Sequence, residues 1–518
     1  GSPFLNLLLI EFMLEFNMPK GVSDKVTFKP YDVGQGELIP PTADELIPVN
    51  HLVRIVNSTL DQIDLHLVVK QYKGGGASRY SPLMLLKILI YGYLNNICSS
   101  RMIAKAVREN IYFRWIAGCQ MPDFRTINSF RKDKLAPVIN EVFVEVVKLL
   151  HKQGYVQLDT LYVDGTKIES RANRYTFVWR RAVENFDKRL EDAQSIAEAE
   201  DLRCGDEDLP EMGKGPVSAE TIAEMASKIN KTLEKLSDDE DKPVKKKLKR
   251  IHKAFTEDFL PRKQKYEHHK GRFDGRNSYS RTDPEATFMR MKEDHMRNGQ
   301  LKPGYNIQVG TEAGFVTTYG IYPNPTDTKT LQPVLEQFHC DYSKYPENLI
   351  ADKGYGSIEN YAECEQKSID AYIKYQHWEV EKKKRSKKYR YRWWKFKYDE
   401  RKDIFISPEG RDLTFENNKT RVRYDGSREH LQVYSSSDCE TCHAHDQCTN
   451  ARKRKIEFNR KRHELQQKAR DRLTTEAGWQ FYRKRGAEVE TVFGQVKGNW
   501  GFRRFNGWGK SNAACEWG

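Results

Sequence analysis

Residues 161–170, LYVDGTKIES, read as a short apolar strand that runs into a tight turn. Leu161, Tyr162 and Val163 are bulky, and Gly165 permits the turn. Asp164 sits between them. Asp before Gly is common in turns, so a turn residue is one reading. The other is a metal ligand whose partners lie elsewhere in the chain. Residues 348–355, NLIADKGY, repeat the arrangement: an apolar strand, then Asp352, then Gly354.

Working outward, strand patterns recur in GYNIQVGTE (304–312) and GFVTTYGIYP (314–323), and a helix pattern in TKTLQPVLEQF. A further helix starts at Ser357, and IDAYIKY (369–375) is another strand. The order strand, strand, strand, helix, strand, helix, strand is that of an RNase H-like α/β domain. The expected fold is therefore a mixed five-stranded sheet flanked by helices. An all-α N-terminal domain precedes it, and α-helical and β-rich insertions interrupt it. The boundaries expected are an extended segment over 1–45, a helical DNA-binding domain over 46–155 and the catalytic domain over 156–518. The insertions fall at 180–275, read as a charged helical hairpin, and at 376–470.

In such a sheet the first and fourth strands are neighbours, which sets Asp164 beside Asp352. Two facing acids repel and call for a cation. Hard carboxylate oxygens suit magnesium or manganese. A third ligand is expected on the late helix EVETVFGQVK (488–497), where Val489, Val492, Phe493 and Val496 form the apolar stripe. Glu490 borders that stripe and Glu488 is its rival, about 160° around the helix at 3.6 residues per turn. Such a triad holds two ions that promote in-line displacement at a phosphodiester. Asp159, Glu169, Asp283 and Glu312 are the substitutes if this register is wrong.

Composition points the same way. The chain has 518 residues, enough for several domains, and Lys+Arg 87 against Asp+Glu 73 gives +14. A basic excess suits a polyanion partner such as DNA. SSRMIAKAVREN and PDFRTINSFRKDKL resemble a helix-turn-helix, with Arg125, Asn128, Arg131 and Lys132 projecting from the second helix. KKKRSKKYRYRWWKFKY packs ten Lys/Arg into 382–397, among them Lys387, Arg390 and Arg392. Tyr389, Tyr391 and Trp393 alternate with these cations as on a strand with one aromatic and one basic face, suited to phosphates and unstacked bases. The nine cysteines form no disulfide framework, which suits a reducing cytoplasm. The apolar stretch FLNLLLIEFMLEF carries Glu11 and Glu15 and is too short to span a bilayer. SSSDCETCHAHDQCTN groups Cys439, Cys442 and Cys448 with His443 and His445. That donor set suits a structural zinc with a histidine, His445 the first choice, as fourth ligand.

Beyond the acids, FKPYDVGQGELIPP, DELIPVNHLVRIVN, DPEATFMRMKED, KPGYNIQ, ADKGYGSIENY and VETVFGQVKGNWGFRRF carry a resemblance that spans most of Met18 to the end. The sequence resembles bacterial insertion-sequence transposases with an RNase H-like DDE domain, close to the group called insertion-sequence eleven-eighty-two. The resemblance implies catalytic and metal-binding roles for Asp164, Asp352 and Glu490, two Mg2+ or Mn2+ ions, and Glu490 rather than Glu488. It implies a Tyr-x-x-Arg…Glu-x(6)-Lys signature at Tyr482, Arg485, Glu490 and Lys497, with one extra residue between Arg and Glu. Arg485, Lys497 and the Arg503-Arg504 pair would then lie against DNA. The family often has four cysteines in the thiol cluster, where this chain has Ser436. The implied activity is binding of terminal inverted repeats with strand cleavage and transfer, by a homodimer on double-stranded DNA in the bacterial cytoplasm and nucleoid. The alternatives are an RNase H-like nuclease that never joins, and an impaired transposase that only binds DNA. The second is raised because the family normally continues through a further helix after Gly518.

Overall fold

A computed structural model describes residues 42–72, 79–202, 218–235, 242–291, 300–381, 389–422 and 428–518, with the side chains of 193–202 and 235 left aside. The chain divides into two units, 1–54 and 55–518, and the site lies wholly in the second. The expected extended segment lies almost entirely outside the described residues, as does 382–388 with Lys387.

From His66 to Lys152 the described elements are helices. Pro82 opens the helix Pro82–Leu94 at a position whose amide has no intrahelical partner, as expected. Between Ser100–Glu109 and Phe124–Ser129 the chain forms a third short helix, Ile111–Ile116, capped by the Asn110 side chain. The two-helix reading of this stretch overlooked it, because IYFRWI is too short to show a period.

Eight strands follow: β1 (Thr160–Glu169), β2 (Phe177–Trp179), β3 (Ser278–Ser280), β4 (Thr287–Arg290), β5 (Leu301–Glu312), β6 (Phe315–Tyr322), β7 (Asn348–Ala351) and β8 (Asp370–Ile373). β2 and β3 pair with each other. The others form one mixed sheet in the order β4-β5-β1-β7-β8, with β6 also on β5. β1 runs antiparallel to β5 and parallel to β7, which is parallel to β8. The five expected strands are all present, and their arrangement is compatible with an RNase H-like sheet. β4, Thr287–Arg290, is an addition that the sequence reading did not include.

Side chains alternate across β1 and β7. Leu161, Val163, Leu349 and Ala351 pack into one cluster with Leu331, Val334 and Phe338 of the helix Leu331–Tyr342. Tyr162 and Ile350 pack on the opposite face with Tyr372, Trp378, Leu473 and Val489. Full burial of such side chains is worth roughly 1.5–3 kcal/mol each. A register slip by one residue would exchange the two faces, so the pairing is strongly specified.

The first insertion is more than a hairpin. Helices Arg180–Leu202, Ala219–Lys235, Lys242–Lys253 and Leu260–Phe273 enclose a small core of Leu190, Ile222, Ala226, Phe255 and Phe259. Its charge is partly internal: buried Lys263 bonds Asp187 at 2.9 Å and Glu191 at 2.8 Å. The second insertion carries a separate antiparallel sheet of β9 (Lys397–Asp399), β10 (Ile404–Ile406), β11 (Asp412–Val422), β12 (Arg428–Ser435) and β13 (Lys455–Phe458), in reverse sequence order across the sheet. Here the alternating-strand expectation for Tyr389–Trp393 is corrected. Those residues form turns and a short 3-10 helix, Trp393–Lys395. Trp393 packs against the core of Phe396, Phe405 and Phe458, and Trp394 stacks on His377 at 4.1 Å. The rings serve packing, which overrides the one-in-two pattern.

Candidate active site

The register of β1 on β7 decides the site. Val163 pairs with Ala351, the last pair of the β1–β7 ladder, so Asp164, still within β1, and Asp352, the first residue after β7, follow it on neighbouring chains. Both follow the alternation onto the Tyr162 and Ile350 face. Asp352 leaves β7 in extended conformation (φ −73°, ψ 164°) and its carbonyl accepts from the Tyr355 amide, which turns the chain at once.

That same face is covered by the C-terminal helices. Val489 is fully buried against Tyr162 and Ile350, with Tyr482 and Phe493 beside it. Arg485 ends the helix Glu476–Arg485, and its Nη2 donates to Asp164 Oδ2 at 2.9 Å. Residues Gly486–Glu490 form a π-helical turn. A π turn accommodates one residue more than an α turn, and the extra residue between Arg485 and Glu490 falls within it. It lets Val489 face the sheet while Arg485 reaches Asp164.

The two rival glutamates separate. Glu488 Oε2 accepts from the Gly314 amide at 2.7 Å, closing the β5–β6 turn. Glu490 is exposed, and its carboxylate lies back along its own helix: a Cβ on Gly486 would stand 3.9 Å from it. Among the described residues no group of three or more His, Cys, Asp or Glu side chains stands close enough to hold a metal ion. At the acids the reason is local. Arg485 occupies Asp164, and Glu490 is turned along the helix. The donors present are hard oxygens, which suit a divalent magnesium or manganese ion.

Burial pushes the Tyr482 phenol up to about 12; Arg485 opposes that, while Asp352, Glu379 and Asp164 add to it. Tyr482 stays a neutral hydroxyl, with the Lys374 ammonium 4.2 Å over its ring. Tyr355 is pushed well above the usual phenol value by burial, and then by Asp327 and Asp164.

The substitute carboxylates serve structure. Glu312 accepts the amides of Gln157, Leu158, Asp159 and Thr160 at 3.0, 2.6, 3.4 and 3.3 Å, fixing the entry to β1. Asp283 takes the hydroxyls of Ser170 and Tyr305 at 2.6 and 2.9 Å. Asp159 pairs with Lys344 and Glu169 with Lys302.

Among the DNA-contact residues named from sequence, Arg125, Asn128 and Lys132 are exposed. Arg131 turns inward, its guanidinium bonding Tyr93 Oη at 3.3 Å, the Cys98 carbonyl at 3.2 Å and Asn128 Oδ1 at 3.3 Å. Lys497 is buried and donates to the Lys167 carbonyl at 3.2 Å. Arg503 and Arg504 are exposed, with backbone bonds to Lys497 and to Ser170 and Arg171. Arg390 and Arg392 are exposed, and Arg390 pairs with Glu409. Cys439, Cys442, Cys448 and His445 line one cavity of about 20 Å³ with Ser407 and Ser436. The Arg454 amide points at Cys439 Sγ at 3.2 Å, while His445 bonds Asp446 and the Ala451 carbonyl. The donor chemistry suits zinc, but the imidazole is turned to other partners.

Two family models match the chain: a transposase domain (DUF772) over residues 41–133 and a transposase DDE domain over 406–518. They support an insertion-sequence DDE transposase, and they do not distinguish the insertion-sequence group. No curated protein and no solved structure matches the chain. No helix among the described residues is long and apolar enough to cross a membrane.

The division between the glutamates is testable. Glu488→Ala removes the acceptor at Gly314 and is expected to cost about 1 kcal/mol of stability, read by urea unfolding. DNA cleavage per folded molecule is expected to stay unchanged. Glu490→Ala is expected to do the reverse.

Proposed function

We propose that this chain binds the terminal inverted repeats of an insertion sequence and cuts and joins DNA strands there. The observation that carries the reading is the Val163–Ala351 pairing, which sets Asp164 and Asp352 side by side beneath the helix bearing Arg485 and Glu490. Asp164, Asp352 and Glu490 would hold the metal. Divalent ions held there would supply the activation of a water or 3′-hydroxyl oxygen and the stabilisation of the leaving oxygen in an in-line displacement. Arg485 then leaves Asp164 for a DNA phosphate, and Tyr482 lines the approach. Joining two element ends calls for a homodimer on DNA.

A binding-only reading is favoured by one observation: Arg485 neutralises Asp164 as the chain stands. The deciding experiment uses DNA carrying the inverted repeats that flank the gene. Mg2+-dependent cutting is expected, with its loss in Asp352→Asn. Tight binding without any cutting would establish the binding-only reading. Pre-cut ends that fail to join a target would leave a nuclease.

The exposed Arg125 and Lys132 are assigned to phosphate contacts. Replacing both by Ala is expected to flatten the slope of log affinity against log salt by roughly 1.8, at about 0.9 per phosphate contact. An unaltered slope removes that face from the interface.

The same reading gives Cys439, Cys442, Cys448 and His445 one structural zinc, which braces the second insertion. Its support is the shared cavity and the soft donor set. Metal analysis of the purified chain should find zinc that Cys442→Ser releases. A zinc-free chain of undiminished stability counts against the site.

A further inference from the structure

Both acids are followed by a glycine, Asp164-Gly165 and Asp352-Lys353-Gly354, and one side chain lies against both glycines. That side chain is Asp327, in a short turn (Asp327–Lys329) between β6 and the helix Leu331–Tyr342. A Cβ on Gly165 would stand 2.6 Å from Asp327 Oδ1 and closer still to Gln308 Nε2. No side chain fits there. A Cβ on Gly354 would stand 3.6 Å from Asp327 Oδ2, in van der Waals contact.

The turn that carries Asp327 is tied to both sides of the acid pair, through Asp327 itself on one side and through Thr328 and Asn360 on the other. On the β1 side, its Oδ1 accepts from Asn306 Nδ2 at 2.8 Å and from Gln308 Nε2 at 3.0 Å. Gln308 pairs across the sheet with Gly165, and Asn306 with Lys167. Gln308 is fully buried, donates also to Asn306 Oδ1 at 3.1 Å, and accepts from the Tyr355 hydroxyl. On the β7 side, Thr328 Oγ1 donates to the Gly354 carbonyl at 3.1 Å. Asn360 Nδ2 bridges the Thr328 and Tyr355 carbonyls at 3.0 and 2.8 Å. The backbone after Asp352 is thereby fastened to the turn that carries Asp327.

Gly165 shares the sheet face of Val163, the face opposite Asp164. The brace therefore holds the acid pair from beneath, out of the way of metal and DNA. We propose that Asp327 is the positioning residue of the acid pair: packed tightly on Gly165 and carried by the turn that Thr328 fastens to Gly354, it fixes the separation of Asp164 and Asp352 that a shared divalent ion requires. The inference rests on the proposed metal-dependent function.

The test reads Mn2+ binding to the intact chain by calorimetry, alongside the Mg2+ concentration for half-maximal DNA cleavage. Asp327→Ala is expected to weaken Mn2+ binding roughly 10-fold or more, as loss of a supporting group does at metal sites, and to raise the Mg2+ midpoint in step. Asp327→Asn keeps an acceptor oxygen for Asn306 and Gln308 and is expected to restore most of the affinity. Gly165→Ala pushes the carboxylate aside with Asp327 intact and is expected to shift the midpoint in the same direction. If Asp327→Ala fails to fold, the Asn and Gly165→Ala variants decide. Wild-type metal midpoints in Asp327→Ala, or in Gly165→Ala, overturn the role of Asp327. A wild-type chain that binds Mn2+ but cuts nothing overturns the functional reading, and Asp327 is then judged on binding alone. A wild-type chain that binds no Mn2+ overturns both.

Discussion

Two carboxylates carried by neighbouring parallel strands, one within β1 and one just past the end of β7, repel each other, and the surroundings of Asp164 and Asp352 answer that repulsion. The Asp164 side chain is only 13% exposed, so water screens it little. Its charge is met by Arg485, which lies 321 residues away along the chain and is brought in by the packing of Val489 on Tyr162 and Ile350. The C-terminal helices cover the face of the sheet where charge accumulates and supply its counterion. The sheet and the helices are thus coupled by electrostatics as well as by apolar burial.

Much of the sheet was legible in the sequence because apolar runs bounded by Gly, Asn and Asp mark short buried strands. The Asp352 stretch marked a strand end as expected, but the turn expected at Gly165 is corrected: β1 runs on through Asp164 and Gly165 to Glu169, paired with β5 throughout. Asp327 was not legible, since PTDTK reads as an exposed turn. Its meaning comes from Asn306 and Gln308, which sit in β5 with their side chains inside the fold. Both are buried, at 1% and 0% exposure, and their amides need an acceptor such as Asp327 Oδ1. A polar pair in an otherwise buried strand was the signal that would have led to it. Arg131 misled for the opposite reason. Its helix position suggested a projecting cation, but its guanidinium satisfies Tyr93 and the Cys98 carbonyl. Helical periodicity also fails across Gly486–Glu490, because the π turn resets the phase that assigns Glu488 and Glu490 to faces.

The Asp164–Arg485 pair suits a residue that must change partners. Arginine is a fork of donors matched to two oxygens. Here one arm, Nη2, meets Asp164, while Nε is buried without a hydrogen-bond partner among the described residues. An unpaired buried donor costs roughly 1–3 kcal/mol, so the guanidinium is held in place but incompletely satisfied. On the proposed function, a divalent ion at Asp164 competes for the carboxylate that Arg485 occupies. A DNA phosphate offers the displaced guanidinium the two acceptors it lacks. Neither ligand alone gains as much as the two together: metal alone would strand a cation, and DNA alone would leave two acids facing each other. On that reading the contact couples the two ligands, each binding more tightly when the other is present.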